Sequence, residues 1–101
     1  MDARSDFSPA ARAVCRGILL RLQNRRPQAL AEFETAARLG PMPEARQWLA
    51  ISLLESGNAS GAEIQRLEAI RLSPSDENFK SLWDRVQDRV RETAARPAAG
   101  S

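Results

Sequence analysis

Two segments of the chain match each other at a spacing of 33 residues. Three pairs carry the match, namely Ala29 with Ala62, Ala36 with Ala69, and Pro41 with Pro74. A period of about 34 residues is the length of one helix-turn-helix hairpin. The repeat therefore predicts stacked copies of one helical unit, in which each copy contacts its neighbours, and argues against a globule built around a single site.

The composition favours helices in a single domain. The 101 residues are 43% hydrophobic, which suffices for one modest core and not for a core plus a large catalytic cleft. Alanine and leucine dominate the aliphatic residues and tyrosine is absent, so local propensity favours helix. We predict an all-α fold of about two antiparallel helix-turn-helix hairpins and a C-terminal capping helix. The predicted units are a flexible N-terminus (1–7), a helical repeat domain (8–92) and a disordered tail (93–101).

Proline and glycine mark the ends of the first two helices. Ser8 and Pro9 predict an N-cap followed by proline in the first turn, and the first helix then extends to about Gln23. Pro27 predicts the start of the second helix, and Gly40 with the proline after it predicts its end.

Similar signals divide the second half of the chain. Pro43 predicts the start of the third helix, and Gly57 supplies a residue that can adopt the left-handed conformation at its end. Ser60 and Glu63 have the spacing of a capping box at the start of the fourth helix. Ser75 is the predicted N-cap of the fifth helix.

The residues inside the repeat resemble the tetratricopeptide family. The second helix of that family carries small, aromatic, small and proline residues at offsets 0, 4, 7 and 12, which here are Ala29, Phe33, Ala36 and Pro41. The second copy keeps the small residues and the proline but has Arg66 in place of the aromatic residue. In the first helix of each hairpin, Gly17 and Ala50 are the small residues that let the two helices approach closely.

A narrower resemblance is to the tetratricopeptide-like chaperones of type III secretion needle subunits. It rests on Trp48-Leu49-Ala50, Glu63, Arg66-Leu67 and a terminal helix after Ser75-Asp76. Members of that family work with a small helical co-chaperone and hold the amphipathic C-terminal helix of the needle subunit. The resemblance implies that this chain binds an amphipathic helix or peptide of another protein.

In tetratricopeptide stacks the first helices of the hairpins line a concave surface where a partner lies. Carried over by position, the partner-binding residues would be Val14, Ile18, Arg21, Gln47, Ile51 and Leu54. An apolar groove rimmed by charges suits a partner helix with anchors at i, i+3, i+4 and i+7. The alternative is that Ile18 and Ile51 complete the core between the hairpins.

The absence of histidine argues against an enzyme. It removes the usual general base, the Ser-His pair and most zinc sites, so we expect no catalysis, no cofactor and no metal. The alternative of a different class is a structural or self-associating subunit, and a homodimer is one form of it.

Positive charge is concentrated near the start of the chain. Residues 1–26 contain six arginines and two aspartates, a net charge of +4. A third hypothesis is therefore weak nucleic-acid binding through the basic first helix and the turn after it, whose arginines are Arg12, Arg16, Arg21, Arg25 and Arg26. Because the first residues lack the apolar run of a signal peptide and no stretch is long enough to span a membrane, a cytoplasmic, bacterial protein is expected.

Overall fold

The computed structural model describes residues 8–95, which form five α-helices connected by short turns. The helices are α1 (Pro9–Leu22), α2 (Arg26–Leu39), α3 (Pro43–Glu55), α4 (Ala59–Leu72) and α5 (Glu77–Ala95). No strand occurs in this part of the chain, and the predicted all-α class is confirmed. Helices α1 and α2 form one hairpin and α3 and α4 form a second, while α5 packs against α3.

The 33-residue repeat is visible in the backbone. Helices α2 and α4 begin and end 33 residues apart, and the turn inside each hairpin has one residue with a positive φ, 64° at Asn24 and 93° at Gly57. In both turns the next backbone N–H donates to the carbonyl five residues earlier, from Arg25 to Leu20 (2.8 Å) and from Asn58 to Leu53 (2.9 Å). These bonds complete the same C-terminal capping motif in each copy.

Phe33 occupies the centre of the first core. Its ring is fully buried and stacks on Trp48 of α3, with centroids 5.8 Å apart and an interplanar angle of 14°. A Cβ built on Gly17 would lie 2.8 Å from Cδ1 and from Cζ of Phe33, and closer still to Cε1. The glycine in α1 is therefore what allows α2 to place its aromatic residue against α1.

The second core lies between α3, α4 and α5. Ile51 is fully buried there, and Phe79 and Trp83 of α5 cover it with rings whose centroids are 6.3 Å apart. Arg66 of α4 places its guanidinium 5.5 Å from the centroid of the Trp83 ring. In the second copy, the arginine that replaces the aromatic residue of the repeat on α4 thus packs on an aromatic residue of α5.

Two predicted helix caps are wrong. Helix α4 begins at Ala59 with Asn58 as its N-cap, because the amide N–H of Gly61 donates to Asn58 Oδ1 at 2.9 Å. Ser60 lies inside the first turn of α4 and forms no capping box. The reason is that the turn after α3 ends at Asn58, so α4 starts before Ser60 is reached. At α5 the N-cap is Asp76 and not Ser75, since the amide N–H of Phe79 donates to Asp76 Oδ1 at 3.0 Å.

Other helix ends differ by a few residues from the predicted ones. Helix α2 starts at Arg26 with its proline second, and α5 continues to Ala95, three residues beyond the predicted end of the repeat domain at Glu92. Residues 1–7, predicted to be flexible, and residues 96–101 of the predicted tail lie outside the described residues. No helix described here is both long enough and apolar enough to cross a membrane.

Candidate partner-binding groove

Two clefts meet beside the C-terminal end of α3. The first has a volume of about 320 Å³ and is lined by Arg21, Arg26, Pro27, Ala29, Leu30, Ser52, Glu55 and Ser56. The second, of about 330 Å³, lies against α5 and is lined by Arg26, Glu55, Val86, Arg89, Val90 and Thr93. Because Arg26 and Glu55 line both clefts, they form one continuous depression from the start of α2 across α3 to α5. We call it the groove.

The floor of the groove is apolar. Ala29 and Leu30 of α2 form it on one side of α3, and Val86 and Val90 of α5 form it on the other. Ser52 is also buried, with the whole residue 9% exposed, and its polar side chain lines the groove as well. Such a surface, apolar with a few polar groups at defined positions, is typical of a binding site.

One ion pair closes the wall of the groove between α1 and α3. Arg21 Nη1 contacts Glu55 Oε1, and both side chains are largely buried, at 19% and 9% exposure. The same guanidinium lies 5.4 Å from the centroid of the Trp48 ring. Arg21 is therefore occupied by Glu55 and by the indole, and its role in the described structure is to join the two helices.

The other two arginines of the groove differ from Arg21. Within residues 8–95, no carboxylate forms an ion pair with Arg26 or Arg89. Since Glu55 is already paired with Arg21, the rim of the groove carries an excess of positive charge above an apolar floor. This arrangement suits a ligand that has carboxylates beside apolar side chains.

Three of the six predicted partner-binding residues belong to the core. Val14 is 5% exposed, because it packs in the first core with residues of α2 and α3. Ile51 is 0% and Leu54 5% exposed, because α3 is surrounded by the other four helices and α5 packs against it. Ile18 is half-buried and packs on the first core. As placed here, these four side chains complete the core between the hairpins, which was the alternative interpretation for Ile18 and Ile51.

The other two predicted residues lie in different places. Arg21 lines the groove, whereas Gln47 lines a smaller cleft near the start of α5. There the Gln47 Nε2 atom donates to Asp76 Oδ2 at 2.7 Å. The backbone N–H of Phe79, and secondarily the Gln47 amide, lower the pKa of Asp76 below its usual value. Gln47 thus stabilises the junction of α3 and α5.

Sequence reasoning missed the residues that give the groove its charge and part of its floor. As a functional residue, Arg26 was named only among the arginines of the nucleic-acid hypothesis, and Arg89 was assigned no role. For Arg89 the sequence does contain a signal. Arg89 follows Val86 by three residues and directly precedes Val90, so the three residues share one side of α5.

The basic first helix gives little support to nucleic-acid binding. Arg16 forms an ion pair with Glu32 at 3.1 Å and Arg21 pairs with Glu55, so two of the five arginines named for that hypothesis are compensated within the chain. Among the described residues, no group of three or more His, Cys, Asp or Glu side chains is arranged to hold a metal ion.

Comparison of the chain with protein-family models, curated proteins and solved structures finds no match.

Proposed function

We propose that the chain is a tetratricopeptide-like hairpin stack that binds another protein and holds an amphipathic helix or peptide of it in the groove. The observation that carries this proposal is the apolar floor beneath Arg26 and Arg89, two rim arginines without a carboxylate partner in the described structure. Apolar anchors of the partner at helical spacing would contact Leu30 and Val90, and its carboxylates would pair with the two arginines.

The tetratricopeptide-like assignment is supported by details of the repeat. Helices α2 and α4 keep the 33-residue period at both ends, and the turns at Asn24 and Gly57 have the same hydrogen bonds. A Cβ at Gly17 would lie 2.8 Å from two ring carbons of Phe33, as expected where a small residue marks the crossing of two helices in a hairpin.

The narrower proposal is a chaperone for a type III secretion needle subunit. In that role the groove would hold the amphipathic C-terminal helix of the needle subunit in the cytoplasm and prevent its polymerisation, together with a small co-chaperone. The direct test is co-expression with a needle subunit, followed by size-exclusion chromatography. A soluble complex of defined stoichiometry supports the narrower role, and needle polymers that form equally with and without this chain contradict it.

The groove itself can be tested with a charge-reversal pair and a matched control. The change is Arg26→Glu with Arg89→Glu, and the control is Arg38→Glu with Arg85→Glu, exposed arginines on the same two helices outside the groove. Both double variants alter the net charge equally, so non-specific attraction changes by a similar amount in the two proteins.

The ligand for this test is a fluorescently labelled amphipathic helical peptide with leucines on one face and glutamates beside them. The assay is done in a Leu19→Glu background, so that the exposed leucine of α1 (55%) does not offer the peptide a second surface. Fluorescence polarisation is expected to show at least about tenfold weaker binding to the groove variant, because each lost tenfold corresponds to about 1.4 kcal/mol of charge pairing. Equal weakening by both double variants would show attraction to net charge alone and would refute the groove.

Self-association is the alternative of a different class. Ile64 and Leu67 favour it, because both are exposed on α4, at 65% and 53%. Size-exclusion chromatography with light scattering separates the two functions. A stable homodimer at low micromolar concentration that does not bind the peptide would show that the chain self-associates and does not bind a partner in the groove.

A further inference from the structure

The outer face of α1 is a second exposed surface of the helical stack, separate from the groove. Four exposed residues on it can be compared with the residues 33 positions later in α3. The exposed residues are Arg12, Cys15, Arg16 and Leu19, and their counterparts are Ala45, Trp48, Leu49 and Ser52. The next residue along the same face, Leu22, is 78% exposed, and Leu19 is 55% exposed.

In the second hairpin the equivalent face is covered by α2. Trp48 stacks on Phe33, Ala45 and Leu49 are 0% and 5% exposed within the first core, and Ser52 lies in the groove beside Leu30. The repeat thus uses this face of its first helix to receive a helix from the preceding unit. At α1, no helix among residues 8–95 occupies that position.

We infer that the outer face of α1 is a docking surface for an acidic amphipathic helix of a partner protein, seated on α1 as α2 is seated on α3. The apolar contacts would come from Leu19 and Leu22. The acidic character follows from Arg12, which stands where the second hairpin has the buried Ala45 and which forms no ion pair within residues 8–95.

Charge decides between a foreign helix and a second copy of this chain. Arg16 pairs with Glu32 of α2, yet its side chain keeps 55% exposure, and Arg12 is exposed beside it. A second copy docked through the same face of α1 could not neutralise Arg12, because α1 contains no aspartate or glutamate. A partner helix with glutamates or aspartates next to its apolar stripe can pair with Arg12 and cover the two leucines.

Cys15 makes this surface directly measurable. It is the one cysteine of the chain, and it is exposed on the face in question. The probe is a synthetic helical peptide with leucines at heptad a and d positions flanked by glutamates, and the reference is the same peptide with lysines. At a peptide concentration about ten times its Kd, the labelling rate of Cys15 by a thiol reagent should fall about tenfold.

Matched variants locate the site. Leu19→Glu should weaken binding of the acidic peptide at α1 at least about tenfold. Leu67→Glu, which changes a leucine of nearly equal exposure on α4 (53%), should leave it unchanged. The groove variant with Arg26→Glu and Arg89→Glu should still show protection of Cys15, which separates failure of this inference from failure of the proposed function.

Four results would overturn the inference. Equal protection by the lysine peptide would contradict the acidic character of the partner. Binding of the acidic peptide without protection of Cys15 would place the ligand elsewhere. Protection that rises with protein concentration in the absence of peptide would identify a second copy as the occupant, and slow labelling at every concentration would show that the chain itself covers α1.

Discussion

Substitution of Gly17 by alanine tests the packing of the first hairpin most sharply. In a helix interior this change normally stabilises by about 1 kcal/mol, because glycine loses more conformational entropy than alanine on folding. Here the added methyl would lie 2.8 Å from two ring carbons of Phe33 and closer to a third. The ring is 0% exposed and stacks on Trp48, so it cannot move aside without displacing α3.

The two effects can be weighed against each other. Overpacking a filled core costs about 1–3 kcal/mol, and the fully buried ring places this site near the upper end of that range. After subtraction of the propensity gain, we expect Gly17→Ala to lower the free energy of unfolding by about 2 kcal/mol. For a domain of this size that corresponds to a fall in Tm of about 8–16 °C.

Urea unfolding followed by circular dichroism measures this change as a lower midpoint at constant m-value. The control is the double variant with Phe33→Leu, in which the ring carbons that the methyl would contact are removed. In that background Gly17→Ala should be neutral or stabilising, so the two substitutions should couple by about 2–3 kcal/mol. An unchanged or raised midpoint for Gly17→Ala alone, or an undiminished penalty in the Phe33→Leu background, would refute the close-approach argument.

Two further predictions concern helix caps. Asn58→Ala should lower the free energy of unfolding, measured by urea titration, by about 1 kcal/mol, whereas Ser60→Ala should have little effect. A larger loss of stability for Ser60→Ala than for Asn58→Ala would contradict the assignment of Asn58 as the N-cap of α4. Hydrogen bonds from Phe79 and Gln47 lower the pKa of Asp76 in the folded chain. The ionised carboxylate therefore stabilises the fold at a pH above the pKa of Asp76 in the unfolded chain. This stabilisation is lost as the pH falls through the lower pKa of the folded chain. Asp76→Asn should therefore reduce the loss of Tm below about pH 4, and an identical acid limb in the two proteins would exclude this contribution.

The fold was predictable because its signals are local and repeated. The 33-residue spacing predicted the hairpins, and the left-handed conformation at Gly57 is confirmed by its φ of 93°. The N-cap of α4 was missed because Asn58 and Ser60 are both good capping residues, two positions apart. The backbone hydrogen bond from Asn58 to Leu53 closes the preceding turn at Asn58, so α4 starts directly after it and Asn58 is the N-cap. Residue preference alone does not distinguish the two candidate caps, and the geometry of the turn does.

The groove was less predictable because tertiary packing decides which residues remain open. Position in the repeat placed Ile51 and Leu54 on a binding surface, but the aromatic residues of α5 pack over them. Arg26 and Arg89 are 63 residues apart in the sequence and share one groove only because α5 returns along α3. The apolar periodicity of a single helix does not show which residues of two distant helices lie in the same groove.

Helix α5 both closes the second core and forms one side of the groove, and Val86 belongs to both. Its side chain is 2% exposed in the core and also lines the cleft beside Arg89. A partner that contacts this part of the floor would therefore contact the side chains that hold α5 on α3, and its binding should raise the stability of that helix. Binding in the groove and docking of the capping helix are thus coupled, whereas the outer face of α1 lies at the opposite end of the stack and contributes nothing to this core.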